Sequence, residues 1–254
     1  MTEPLLGDAP ADTNAMLSPP SAPTGGWRTA TVAGVRRPVH GAVELRLDVH
    51  DRIEHVTGQH YVIRLTAEDG YTAQRSYSVL SPPSDPHVEM FVERLEEGEV
   101  STFLADVVEP GDSLEVRGPI GGWFVWDGTT PALLIGGGSG VVPLVSMIRH
   151  AQQLGRLDLL RVAVSARTRA VLPYADELAE AGALIVLTRE ASGSRPAARL
   201  TSTDLEPLYE AGQTSFVCGS TGFAETATQL LVGLGVPAAA IRVERFGPSA
   251  LPAQ

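Results

Sequence analysis

The side chains best suited to chemistry fall into short strings spaced along the chain. Gly138-Ser139-Gly140-Val-Val-Pro143 lies between an apolar run, Ala132–Ile135, and a helical pattern, Val141–Leu154. A parallel strand feeding a helix leaves free N–H groups and a positive dipole end where a pyrophosphate can sit. Glycines let the phosphates approach the backbone. The string departs from the usual Gly-x-Gly-x-x-Gly fingerprint, because Pro143 stands at the third glycine. Proline is tolerated in a helix's first turn, where its missing N–H costs nothing. The same string also describes a tight turn with no ligand. The next apolar run, Leu159–Ser165, ends in Ser165-Ala-Arg167-Thr-Arg169. Dinucleotide folds that select NAD often place an acidic residue there. A hydroxyl and two guanidiniums suit a 2′-phosphate instead, because arginine grips it through paired hydrogen bonds. That predicts a preference for NADPH over NADH. Ordinary arginines on a solvated loop are the alternative.

Earlier in the chain, Arg75-Ser-Tyr77-Ser78 sits on a predicted strand. Alternation puts Arg75 and Tyr77 on one face and Ser78 on the other. The string offers an arginine for a phosphate and a ring for a flat heterocycle, but it also reads as a core tyrosine beside a surface arginine. Gly98-Glu-Val100-Ser101 adds a hydroxyl at the start of a predicted helix, Ser101–Val108. Ser101 could be its N-cap and still leave N–H groups for phosphate oxygens. Cys218-Gly219 follows a predicted strand, Ser215–Val217. Ligands of open parallel sheets bind at the carboxyl ends of strands, where a small thiol could touch a nicotinamide ring. The commoner fate of a free cysteine is burial as a small hydrophobe. Glu244-Arg-Phe246-Gly247 follows a predicted last strand, Ile241–Val243. There an aromatic could cover a ring face and a carboxylate could relay a proton, or the segment could simply close the fold. The six histidines are scattered without metal-ligand spacing, so no metal site is expected.

Two kinds of element must position these strings. Val43, Leu45, Leu47 and Val49 alternate with polar residues, as do Val88, Met90 and Val92, which is the pattern of half-buried strands. His60–Thr66 and Ser113–Arg117 read as further strands. Turn signals at Glu68-Asp-Gly70, Ser81-Pro-Pro-Ser84 and Pro110-Gly-Asp112 separate them, so a small antiparallel barrel is expected. After about Asp127 the period changes. Strands alternate with the helical patterns Val141–Leu154, Tyr174–Ala181 and Ala224–Leu234, which predicts a parallel sheet of βαβ units. The boundary falls near 126–130. Residues 1–24, rich in Pro, Ala, Ser and Thr, read as a disordered tail.

Composition narrows the function classes. The 254 residues suffice for two ordinary domains. No apolar run reaches the roughly 18 residues of a membrane span, and no secretory signal is visible, so a cytoplasmic location is expected. A net charge of −11 argues against nucleic acid as a partner. The single cysteine excludes a disulfide within the sequence and a cluster that needs about four cysteine ligands.

Taken in order, these strings resemble the ferredoxin–NADP reductase superfamily, from Trp27 to Gly247. The specific part is the succession Arg-x-Tyr-Ser, Gly-x-Val-Ser, Gly-x-Gly-x-x-Pro and Cys-Gly. The resemblance implies a two-domain chain: an antiparallel Greek-key β-barrel binding FAD (25–128), then an α/β Rossmann-like parallel sheet binding NADPH or NADH (129–254). By position, Arg75 matches the arginine on the flavin pyrophosphate, Tyr77 the aromatic on the flavin ring and Ser78 the hydroxyl near its N5. Gly98, Val100 and Ser101 match the FAD phosphate loop. Gly138, Ser139, Gly140 and Pro143 match the NAD(P)H phosphate turn, and Ser165 and Arg167 the adenosine-phosphate contacts. Cys218 and Gly219 match the residues beside the nicotinamide, and Glu244 and Phe246 the terminal carboxylate and aromatic. Glu99 departs from relatives that carry a basic residue there. The implied activity is hydride transfer from NAD(P)H to FAD, with Ser78, Cys218 and Glu244 closest to the reaction. Electrons then pass to a separate protein such as ferredoxin or an oxygenase component. Arg36 and Arg37 are candidates for a basic docking patch. The alternatives are a reductase of diffusible flavin and a non-catalytic NAD(P)H-binding subunit.

Overall fold

The computed structural model describes residues 26–247, so the expected disordered tail at 1–24 lies outside the described residues. The alternating segments of the first half form strands: β1 (Arg28–Arg36), β2 (Ala42–Val49), β3 (His60–Thr66), β4 (Thr72–Ser78), β5 (Val88–Glu93) and, after helix α1 (Glu99–Asp106), β6 (Ser113–Ile120). They make one antiparallel sheet in the order β4-β3-β6-β1-β2-β5. The two edges meet through an antiparallel bridge between Val79 and Met90 and a hydrogen bond from Leu80 N–H to the Glu89 carbonyl, 2.8 Å. The sheet thereby curls into a barrel whose interior holds Val43, Leu45, Leu47, Ile63 and Met90. Strand β1 has no counterpart in the sequence expectation. Its register shifts between Val32 and Gly34, so the period-2 signal breaks in mid-strand.

The second half alternates strands and helices: β7 (Ala132–Gly137), α2 (Val142–Leu154), β8 (Leu160–Ala166), α3 (Ala175–Glu180), β9 (Leu184–Leu187), α4 (Ser202–Leu205), β10 (Thr214–Ser220), α5 (Thr221–Gly233) and β11 (Ile241–Phe246). The strands form a parallel sheet ordered β11-β10-β7-β8-β9. Both faces are covered, which is why its strands read as continuous apolar runs. Leu133, Ile135 and Val217 pack with Leu205 of α4 and Leu231 of α5. Leu134 and Val164 pack with Leu144 of α2 and Leu178 of α3 on the other face.

Three local expectations need correction. Strand β10 continues through Ser220, because Cys218 pairs with both Gly136 and Glu244 in the ladders. Cys218 and Gly219 therefore lie inside the strand, not after it. Likewise Glu244 and Phe246 belong to β11 and do not follow it. The short helix α4, held by a capping box between Thr201 and Asp204, gave no periodic signal to find.

The two sheets share a core. Ala42, Leu80, Phe91, Phe124 and Trp126 from the barrel side join the cluster formed by α2 and its face of the parallel sheet. Phe124 meets Phe216 of β10 edge to face, with centroids 5.2 Å apart. Glu44 sits at an outward position of β2, yet it is only 3% exposed, because Tyr174 of the second unit lies against it. Among the described residues no helix is long and apolar enough to cross a membrane.

Because Phe124 binds the two sheets together, Phe124→Ala should lower the unfolding free energy by about 3–5 kcal/mol. Urea denaturation followed by circular dichroism checks this, and a loss well below 1 kcal/mol would contradict the shared core.

Candidate functional site

The glycine turn is built by close approach. After β7, residues Gly138–Val141 make a single tight turn, and α2 begins at Val142 with no side chain capping its N-terminus. Val142 N–H already donates to the Ser139 carbonyl, so the N–H groups that lack a helical partner belong to the turn itself, and it is these that face an anion. Gly138 takes a left-handed φ of +57°. At Gly140 an added Cβ would lie 2.5 Å from Gly219 Cα and closer still to the Cys218 carbonyl oxygen. The turn can therefore rest on the carboxyl end of β10 only as glycine. Pro143 is buried in the first turn of α2, where its missing N–H is harmless. Ser139, beside it, is half-buried.

Beyond the turn, Ser165 stands at the end of β8 in register with Gly137 and lines a cavity of about 380 Å³ with Thr188, Arg199, Ser220 and Phe223. Arg167 is exposed on the adjoining loop. Sequence reasoning missed Thr188 and Arg199. They sit in irregular chain, where no spacing signal marks them, and only the fold carries them to the strand ends.

On the barrel side the strand register behaves as expected. Tyr77 faces Tyr61, Arg75 faces Ile63, and Ser78 pairs with His60, so Arg75 and Tyr77 share a face and Ser78 takes the other. Tyr77 is half-buried against the barrel interior, and burial pushes its phenol up. The Arg75 guanidinium is exposed, donating to the neighbouring Gln74 carbonyl at 2.7 Å. Ser78 is buried, and its hydroxyl has no hydrogen-bond partner. A buried orphan hydroxyl in a native fold asks for a ligand or water to complete it.

Helix α1 starts one residue after Gly98, so Gly98 is the N-cap and Ser101 is not. The Ser101 hydroxyl instead donates to the Gly98 carbonyl at 3.0 Å and accepts from Leu95 N–H at 3.2 Å. It braces the loop and leaves the helix start open. A Cβ at Gly98 would collide with this hydroxyl and lie 2.9 Å from Leu95 Cβ. Val100 is buried beneath the turn. Glu99 points outward and accepts the Tyr71 hydroxyl at 3.1 Å.

The centre of the second sheet supplies the remaining groups. Cys218 is fully buried between Gly136 and Glu244. Burial, and then the nearby Glu244 carboxylate, push its thiol well above the usual range, so it is no thiolate nucleophile. Burial raises the Glu244 carboxyl to about 7, and its Oε2 lacks any partner. Phe246 is half-buried against the core that also holds Leu80 and Cys218. Leu80, two residues after Ser78, thus belongs to the same core as Cys218. The proposed docking arginines are both exposed, and each is hydrogen-bonded within the chain. Arg36 is forked onto Glu44, and Arg37 donates to the Ala105 carbonyl at 3.1 Å.

An open helix start beside Arg75, an aromatic edge, an orphan hydroxyl and a glycine turn on a strand end fit a flavin and a nicotinamide dinucleotide. Comparison with known proteins agrees. Residues 40–125 match the family described as the oxidoreductase FAD-binding domain. The chain is 27% identical over 232 residues to the ferredoxin–NAD(P)(+) reductase component of the naphthalene 1,2-dioxygenase/salicylate 5-hydroxylase systems of a Ralstonia species, covering 86% of this chain and 69% of that one. Its fold is that of the FAD/NAD-binding domain of nitric oxide dioxygenase from Vibrio cholerae, with a TM-score of 0.76 at 23% identity, covering 87% of this chain and 99% of that one. It is also that of a ferredoxin–NADP+ reductase from Neisseria gonorrhoeae, with a TM-score of 0.73 at 18% identity, covering 86% and 98%. The chain thus has the fold of ferredoxin–NADP reductases, and its barrel carries the match to the FAD-binding domain. The cofactor of the matched domain is FAD.

Two outcomes follow from this geometry. Gly140→Val should abolish measurable NADPH and NADH binding in calorimetry while leaving FAD in place; normal binding would contradict the close approach. For Glu244, the folded protein holds a proton between pH 4.5 and about 7 that the unfolded chain has released. Stability therefore falls as pH rises through that window, by up to roughly 3 kcal/mol. Glu244→Gln should flatten the slope of the urea midpoint against pH, and an unchanged slope would assign the effect elsewhere.

Proposed function

We propose that this protein is a reductase that takes a hydride from NADPH or NADH onto bound FAD and passes the electrons to a separate redox protein. Ferredoxin or an oxygenase component is the acceptor class that fits the reductase-component relative. The observation that carries the reading is the packing of the Gly140 turn onto Cys218–Gly219, in a core that continues into the barrel just past the orphan hydroxyl of Ser78.

FAD supplies the redox chemistry, and the protein supplies binding, orientation and proton placement. Arg75 and the open start of α1 at Gly98–Ser101 hold its diphosphate, and Tyr77 and Phe246 flank its ring. Ser78 directs its hydroxyl to the flavin. Gly138–Pro143 hold the nicotinamide dinucleotide's phosphates, while Ser165 and Arg167 take the adenosine end. Cys218 and Gly219 orient the nicotinamide by shape, because a neutral buried thiol cannot attack it. Glu244, with a carboxyl near 7, can hold or release a proton at Oε2 near neutrality. FAD binding is assigned to residues 25–128 and NAD(P)H binding to 129–254. Use of NAD(P)H suits a cytoplasmic location. Arg36 and Arg37 are both exposed, and Arg37, bonded only to a backbone carbonyl, keeps its charge for an acidic partner.

Arg75→Ala should weaken FAD binding by roughly ten- to a hundredfold, seen as flavin lost on dialysis; full retention would remove Arg75 from the phosphate site. Arg167→Ala should raise the KM for NADPH about tenfold and leave that for NADH nearly unchanged. Equal effects on both nucleotides would remove the 2′-phosphate contact.

A further inference from the structure

Away from the cofactor strings, two side chains of the second half reach across to carboxylates of the barrel. Arg149 lies about two turns into α2, the helix that springs from the glycine turn. Its Nη1 donates to Glu89 Oε2 on β5 at 3.1 Å. Its Nε and Nη2 donate to the two oxygens of Glu177 on α3 at 2.8 and 2.9 Å. Tyr174, just before α3, places its ring 5.3 Å beneath this guanidinium and edge-on to Phe91 of β5, with centroids 5.9 Å apart. Its hydroxyl donates to Glu44 Oε2 on β2 at 2.8 Å, and Arg36 holds the other oxygen of the same carboxylate.

This cluster is over-determined. Tyr174 takes a left-handed φ of +58°, which is unfavourable for a bulky side chain. Such a conformation persists only where its surroundings fix it, and here Arg149, Phe91 and Glu44 hold the ring and its hydroxyl. A carboxylate as buried as Glu44 is stable only while its partners remain.

The consequence concerns α2 as a rigid rod. One end is the turn proposed to hold the nicotinamide dinucleotide, and the side chain two turns along is locked to the barrel that binds FAD. Transfer between two bound rings depends on their alignment, and a displacement of about 1 Å can cost about a hundredfold in rate. The geometry points to Arg149 and Tyr174 as positioning residues for hydride transfer, a clamp on Glu89 and Glu44 that sets the nicotinamide turn relative to the flavin domain. This rests on the reductase reading above. Neither residue belongs to the cofactor-binding strings, so both act through α2 and α3.

The test uses Arg149→Met, Arg149→Lys and Tyr174→Phe in the full FAD-loaded chain. Three quantities are read: the limiting rate of flavin reduction in anaerobic stopped flow, the half-saturating nucleotide concentration, and amide hydrogen exchange in β5 and α3. The limiting rate should fall about ten- to a hundredfold in Arg149→Met and less in Tyr174→Phe, with half-saturation little changed. Arg149→Lys, which can keep the bond to Glu89, should recover part of the rate. Exchange should quicken in both segments, although they belong to different sheets. Unchanged limiting rates in folded, FAD-loaded Tyr174→Phe and Arg149→Met would overturn the clamp. So would a loss confined to nucleotide affinity. A parent protein whose bound FAD neither nucleotide reduces would overturn the reductase reading itself, and the role in hydride transfer with it.

Discussion

Helix α2 packs on the parallel sheet with one side and on the barrel with the other, and most of the site depends on that double contact. Val142, Leu144, Val145, Met147 and Ile148 are all buried in the core that joins the two units. Ser146 adds a polar link, its hydroxyl donating to the Ser81 carbonyl at 2.9 Å. An interface between domains that is small and polar permits relative motion. This one is a continuous apolar core, so the two sheets hold a fixed relation. The N-terminus of α2 is the glycine turn, and whatever fixes the helix also fixes where a dinucleotide sits.

Ser78 Oγ and Glu244 Oε2 are among the buried polar atoms that lack partners. Each unsatisfied buried group costs about 1–3 kcal/mol, and apolar residues of similar size would avoid that penalty. Their presence makes sense where a bound group completes them. Cys218 obeys the opposite logic. It fills a space bounded by Gly136 and Glu244 in the ladder as a neutral, fully buried thiol, so its contribution is shape rather than reactivity. In the proposed function these three groups orient flat rings and place one proton.

Much of this was legible in the sequence, for identifiable reasons. Period-2 alternation revealed β2 and β5, and the apolar run before the glycines revealed β7, because burial of one or both faces writes itself directly into residue type. Strand β1 escaped because its bulge at Val32–Gly34 breaks the alternation. Alternation at Glu44 correctly gave an outward position but could not foretell that another unit would cover it. The ends of β10 and β11 were set short because Cys218, Gly219 and Glu244 carry no strand signal of their own; neighbouring strands decide their conformation. For the candidate site, the motif strings fall on strands and tight turns of the fold. Thr188, Arg199, Arg149 and Tyr174 were not legible, since their roles arise only when distant segments meet. Ser101 shows the limit of a local rule: serine near a helix start suggests a cap, yet the hydroxyl folds back onto Gly98 and Leu95.

The central claim is that one rigid scaffold brings NAD(P)H and bound FAD together for hydride transfer. The most direct measurement is an anaerobic visible titration of the purified protein with NADPH and, separately, with NADH. The account predicts a protein-bound flavin band that bleaches on addition of either nucleotide, faster with NADPH. A bound flavin that neither nucleotide reduces would contradict it, as would a colourless protein that oxidises NAD(P)H only when free flavin is supplied.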